Sequence, residues 1–141
     1  MLRRLLFSAA ASAAALSAVP SAAQAVSHPV APTDRLVITV ADSGGADGRY
    51  VLDCHPTGGT HPDAAKACAR LDEVTVYGKD PFAKTPPGTM CTMQYGGPAT
   101  AHVTGTWAGR PVDATYDRSN GCEISRWDRL TPVLPDTAAR T

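Results

Sequence analysis

Glutamate is nearly missing from this chain. Only Glu73 and Glu123 are glutamates among 13 acidic residues, and the aspartates fall mostly in turn-like stretches. No carboxylate pair can therefore be assigned to general acid–base work. There is no basic run or arginine stripe, and 13 Lys and Arg balance 13 Asp and Glu. The electrostatic footprint of nucleic-acid and anionic-membrane binders is thus absent, and neither partner is expected. Past residue 25 no apolar run is long enough to cross a bilayer. At 141 residues one small core, hence one domain, is the natural expectation.

The first residues read as an export signal. Arg3 and Arg4 supply positive charge, Leu5 to Val19 carries no charge, and Ala23-Gln24-Ala25 offers a small-residue cleavage site. That order predicts a secretory signal peptide over residues 1–25 and an extracellular product starting at residue 26. Export also decides how the four cysteines, Cys54, Cys68, Cys91 and Cys122, are read. An even number in a small secreted chain predicts two disulfides and no free thiol. Three pairings are open. We favour Cys54–Cys68 with Cys91–Cys122, because the first closes a short loop holding a predicted turn and helix start, and such a closure contributes roughly 3 kcal/mol.

Along the mature chain, residues 26–34 read as a loose arm containing His28, Pro29 and Pro32. The β-branched run Leu36-Val37-Ile38-Thr39-Val40, a turn-rich stretch over 42–48 and Arg49 to Cys54 predict a first hairpin. Thr60 and His61 can cap a helix whose first turn holds Pro62 and Asp63, with Ala64, Ala65, Cys68 and Leu71 on one face. Residues 72–90 show only weak signals: Val74 and Val76 alternate, and Asp80-Pro81-Phe82 could start a short helix. Ala101, Val103, Gly105 and Trp107 alternate with polar neighbours, as do Val112, Ala114 and Tyr116, so 100–117 predicts a second hairpin turning at Ala108-Gly109-Arg110. Asn120-Gly121 breaks the chain. Residues 128–141, with Pro132 and Pro135, read as a partly ordered tail after a domain over 35–127. The fold class expected is α+β, an antiparallel sheet with helices on one face.

Two chemistries fail on inspection. Asp42-Ser43-Gly44-Gly45 looks like a protease nucleophile turn, yet too little mature chain precedes Ser43 to supply the base and its orienting carboxylate. Cys54, His55, His61 and Cys68 suggest a metal site, but their spacing matches no usual zinc pattern and exported thiolates are normally consumed as disulfides. No metal, cofactor or enzymatic activity is expected.

The most informative stretch is Met90-Cys91-Thr92-Met93-Gln94-Tyr95, an apolar, sulfur-rich hexapeptide between Pro86-Pro87-Gly88 and Gly96-Gly97-Pro98. From composition it is either a short buried strand or an exposed loop braced at Cys91 and offering Met93 as bait. The second option has a physical logic: an extended segment that is already ordered loses little entropy on entering a protease cleft.

Several segments carry a resemblance, in order and with near-matching spacing over residues 35–125: Gly59-Thr60-His61-Pro62 between Cys54 and Cys68, the hexapeptide itself, Gly105-Thr106-Trp107-Ala108-Gly109, and Ser119-Asn120-Gly121-Cys122-Glu123. Together they resemble the Streptomyces subtilisin inhibitor family. The resemblance implies a sheet of about five antiparallel strands with two helices on one face, the disulfide pairs favoured above, and a homodimer. It also implies a standard-mechanism inhibitor of extracellular subtilisin-like serine proteases. On that reading Met93 is the primary specificity residue and Met93–Gln94 the reactive bond. Met90, Cys91 and Thr92 lead into the bond, Tyr95 follows it, and Asn120 supports the loop from behind. Family members often carry proline where Thr92 stands. The alternative is a secreted binding or structural module of the same fold without inhibitory activity.

Overall fold

The computed structural model describes residues 23–28 and 31–137, so nearly all of the signal expected over 1–25 lies outside the described residues. Strict alternation makes β1 (Asp34–Ala41) the centre of the fold: Asp34, Leu36, Ile38 and Val40 face inward and their neighbours outward. The predicted arm thus ends one residue early, since Asp34 opens the strand. Its carboxylate accepts from the Ala108 amide at 2.7 Å and contacts His55 Nδ1 at 2.7 Å. β2 (Gly48–Cys54) returns antiparallel, pairing Leu36 with Leu52 and Ile38 with Tyr50. In the turn between them the Asp47 carboxylate accepts from the backbone of Asp42 and Ser43 and from the Ser43 hydroxyl at 2.6 Å. Ser43 is a turn residue, as its sequence context implied.

A two-residue strand, β3 (Gly58–Gly59), extends the edge of β2. Next comes α1 (Ala64–Val74), which starts later than the sequence suggested, with Asp63 as N-cap and no side-chain cap. His61 stands just before it. Its Nδ1 accepts from the Asp63 amide at 3.0 Å and its Nε2 faces the Val133 carbonyl at 3.0 Å, a pattern that one neutral tautomer satisfies. The buried face is Ala67, Cys68 and Leu71; Ala65, expected there, is exposed.

Residues 75–99 form no helix or strand. Neither the Val74/Val76 alternation nor the helix start at Asp80 materialises. Instead Asp80 Oδ1 accepts from the Phe82 amide at 2.9 Å, a local turn that drops the Phe82 ring into the core. β4 (Thr100–Trp107) and β5 (Arg110–Tyr116) then make the second hairpin, with Val103 opposite Ala114. β4 docks on the free side of β1, giving one antiparallel sheet in the order β3-β2-β1-β4-β5. The turn is shifted to Ala108 and Gly109.

The last helix, α2 (Gly121–Arg129), is capped by the Asn120 side chain. Both helices and the buried sheet face feed one hydrophobic cluster around Trp127, Leu36, Ile38, Leu52 and Leu71. Cys54–Cys68 pins α1 to β2 inside it, and no free cysteine remains among the described residues. The reading of 128–141 as a tail is overturned in its first part. Leu130, Val133 and Leu134 are among the most buried residues, and Trp127 Nε1 donates to the Pro135 carbonyl at 2.8 Å. Residue 127 is therefore no domain boundary; the chain closes the core about as far as Pro135. Among the described residues no helix is long and apolar enough to cross a membrane.

Candidate functional site

Between Thr89 and Pro98 the backbone runs without regular structure. Pro86 starts the approach with a tight turn, its carbonyl accepting from the Thr89 hydroxyl at 2.7 Å. Met90 and Met93 are each 95% exposed and Tyr95 is 68% exposed, while Thr92 and Gln94 are also open to solvent. The buried-strand option for this stretch is excluded. Three large apolar side chains stand in water on one short segment, which soluble proteins rarely allow without a use.

Every anchor of this segment falls on residues 118–122. Cys91 is joined to Cys122 by the second disulfide. The Thr92 carbonyl accepts from the Gly121 amide at 3.0 Å. On the far side, the Gly96 amide donates to the Arg118 carbonyl at 2.7 Å and Arg118 Nε donates to the Gly96 carbonyl at 3.1 Å. The Met93–Gln94 bond thus lies between anchors at Thr92 and Gly96, with only Met93, Gln94 and Tyr95 spanning the gap. Two positions here require glycine for space. A Cβ on Gly121 would overlap the Thr92 hydroxyl, and one on Gly96 would sit 2.8 Å from Ile124 Cγ1.

The anchoring stretch is itself braced. Arg118 is buried, donates to Asp128 at 2.7 Å and lies 5.7 Å from the Trp127 ring centroid, so the loop exit is tied to the core. Asn120 Oδ1 accepts from the amides of Cys122 and Glu123 at 3.0 and 3.1 Å, fixing the first turn of α2. Its hold on the loop passes through the backbone of Gly121 and through Cys122. Glu123 accepts from Thr85 at 2.9 Å and pairs with Arg126 at 2.6 Å, and Arg126 Nε donates to the Ala83 carbonyl at 3.0 Å. The loop entrance is therefore bound to the same helix. Arg126 also lies 4.5 Å from the Tyr116 ring centroid, and burial pushes the Tyr116 phenol up to about 12.

The hexapeptide and Asn120 are therefore neighbours in space. Arg118, Gly96, Gly121, Thr85, Glu123 and Arg126 were not singled out. Asn120-x-x-Glu123 was a legible capping signal; a buried arginine carries no comparable mark. Among the described residues no group of three His, Cys, Asp or Glu could hold a metal ion. What the arrangement offers is a rigid, extended, solvent-facing peptide with an apolar side chain at its apex.

Residues 31–120 match the model of a family described as subtilisin inhibitor-like. Among its relatives, the subtilisin inhibitor-like protein 1 of Streptomyces cacaoi is 37% identical over 99 residues, covering 64% of this chain and 86% of its own. The subtilisin inhibitor of Streptomyces violaceus is 34% identical over 139 residues, 87% of this chain and 92% of its own. A solved structure, Streptomyces caespitosus sermetstatin in complex with Bacillus licheniformis subtilisin, shares 28% identity over 73% of this chain and 98% of its own, with a TM-score of 0.46.

Proposed function

This chain belongs to the subtilisin inhibitor-like family, and we propose that it blocks subtilisin-type serine proteases by presenting the Met93–Gln94 bond as bait. The observation that carries this reading is the solvent-facing Met93 on a segment anchored on both sides to residues 118–122.

The protease's serine attacks the Met93 carbonyl, the Met93–Gln94 bond breaks, and the Gln94 amine takes a proton. In an ordinary substrate that amine then diffuses away. Here the two pieces stay joined, because Cys91 lies before the cut and Cys122 after it. Thr92 and Gly96 hold the new ends against one short stretch of chain. The amine remains at high effective concentration and re-forms the peptide faster than water completes hydrolysis. Because the loop is ordered before binding, association costs little conformational entropy.

Met93 is unbranched and uncharged, so it suits an apolar specificity pocket better than the anionic pocket of trypsin. Secretion is part of the proposal, supported by the predicted signal and by two closed disulfides. So is a homodimer. Its outward sheet face carries a half-buried row, Val51, Val37 and Thr104, side by side across β2, β1 and β4. Titrating subtilisin with residues 26–141, disulfides intact, tests the main reading. We expect linear loss of activity to one chain per enzyme; full activity beside folded, uncut protein would overturn it.

A further inference from the structure

Asn120 is the only asparagine in the chain, and glycine follows it. An asparagine side-chain amide is most open to attack when the next backbone nitrogen belongs to glycine, which has no side chain in the way. We propose that Asn120–Gly121 is a site of spontaneous covalent modification, gated by the anchored loop: closed while Thr92 is seated on Gly121, open once Thr92 leaves.

In the reaction the Gly121 nitrogen loses its proton to solvent base and bonds to Asn120 Cγ. The Cγ–Nδ2 bond breaks, and the amide departs as ammonia after taking a proton from water. Water then opens the resulting imide at one of its two carbonyls. Breaking the Cγ–N bond leaves aspartate. Breaking the bond between the Asn120 main-chain carbonyl carbon and the nitrogen leaves isoaspartate, whose main chain runs through Cβ and Cγ and is one carbon longer.

Four features of the native geometry oppose the first step. The Gly121 N–H is engaged with the Thr92 carbonyl at 3.0 Å. Asn120 Oδ1 is held by the Cys122 and Glu123 amides, away from the geometry of attack. Asn120 is extended, with φ −153° and ψ 175°, and ring closure requires rotation about ψ. The Thr92 hydroxyl fills the space beside Gly121 that a side chain would otherwise occupy. The two Thr92 contacts, on the Gly121 N–H and in the space beside it, depend on the loop staying docked, and Cys91–Cys122 keeps it docked. The cap bonds and the backbone of Asn120 belong to the start of α2, which the docked loop braces at Gly121. Aspartate at 120 retains an oxygen for the helix cap. Isoaspartate lengthens the chain between the cap and Cys122 and displaces the seat of Thr92. Loss of the loop anchor is therefore followed by a one-way change that prevents its restoration. This rests on residues 92 and 120–123 and holds whatever the loop binds.

The test follows residues 26–141 by peptide mass mapping, with isoaspartate counted by enzymatic methylation, at mildly alkaline pH. Three samples are compared: the native protein, the same protein in urea, and a Cys91→Ala/Cys122→Ala variant. Because reaction requires local opening, the urea sample and the variant should convert Asn120 at least about tenfold faster than the native protein. Gly121→Ala in urea should slow conversion strongly. Equal rates in native and urea samples would overturn the gate, and no conversion in urea would overturn the site. Should the cysteine variant fail to fold, hydrogen exchange at the Gly121 amide of the native protein decides: protection supports the gate, and exchange at the rate of an unstructured peptide refutes it.

Discussion

Arg118 and Gly96 hold each other twice, the glycine amide donating to the arginine carbonyl at 2.7 Å and the arginine Nε donating to the glycine carbonyl at 3.1 Å. The same guanidinium reaches Asp128 at 2.7 Å, so one buried side chain joins the loop exit to α2. Arg118→Met keeps most of the volume and removes both side-chain bonds. Bonds from a charged donor are worth about 1.5–3 kcal/mol, and part of that is recovered by water at exposed Asp128. We expect stability to fall by about 2 kcal/mol in urea unfolding. The inhibition constant should also rise, and cutting at Met93–Gln94 should become faster. An unchanged cutting rate in a folded variant would detach Arg118 from the loop.

Met93 should separate function from stability. Its side chain is 95% exposed, so replacing it leaves the core untouched and should move stability by no more than about 0.5 kcal/mol. Met93→Asp should abolish subtilisin inhibition at an unchanged melting temperature. Met93→Lys should gain trypsin inhibition, which the parent chain should lack. A Met93→Asp protein that still titrates subtilisin would place the reactive bond elsewhere.

The two disulfides should fail differently when removed. Cys54–Cys68 lies within the core, whereas Cys91–Cys122 spans the Met93–Gln94 bond. Losing either costs about 2–5 kcal/mol in a domain of this size. Where the Cys54→Ala/Cys68→Ala protein remains folded, it should still inhibit. Folded Cys91→Ala/Cys122→Ala should behave as a substrate, cut at Met93–Gln94, with enzyme activity returning over time. Mass spectrometry of the timed mixture distinguishes the two.

Much of the sheet could be read directly, because Leu36, Ile38 and Val40, then Val103 and Ala114, alternate with polar neighbours and bury one face. The cysteine pairs were favoured on loop length and the resemblance, and the structure closes the same two. The stretch from residue 128 onward was misjudged for a physical reason. Trp127, Leu130, Val133 and Leu134 are spaced for burial, but Asp128, Arg129, Pro132 and Pro135 between and beside them give the composition of a loose end. Arg118 escaped notice because an arginine reads as surface until an aromatic ring, a carboxylate and a carbonyl are brought around it from distant parts of the chain.

His55 gives the fold a pH dependence. Hydrogen bonds to Asp34 and then to Asp72, at 2.7 and 3.2 Å, hold its pKa above the ordinary value of 6.5. The native state therefore binds this proton more tightly than the unfolded chain does. The stabilisation is complete below the unfolded pKa near 6.5 and is lost as pH rises through the raised native value. Melting temperature should fall across that window. His55→Asn tolerates the left-handed backbone at φ 54° and has no proton to lose, so it should flatten the slope. Since the imidazole is 48% exposed, the effect should be modest and should shrink with added salt. An unaltered slope in His55→Asn would assign the dependence to another group.

Leu134 decides whether the end of the chain is tail or core. Sequence composition makes residues 128–141 dispensable, whereas the structure buries Leu130, Val133 and Leu134 almost completely against the cluster around Trp127. Leu134→Ala removes three carbons from a fully buried site lined by apolar side chains, and such changes cost about 2–5 kcal/mol. A cost of that size should appear as a lower urea midpoint with the same slope. Ending the chain at Arg129 removes all three side chains and the Pro135 carbonyl that satisfies the Trp127 indole, leaving a buried donor without a partner. That shortened chain should lose cooperative unfolding and, with it, inhibition, because Arg118 rests on Trp127 and the loop exit rests on Arg118. If the shortened chain instead unfolds cooperatively at the parent midpoint, the residues past Arg129 are a tail after all.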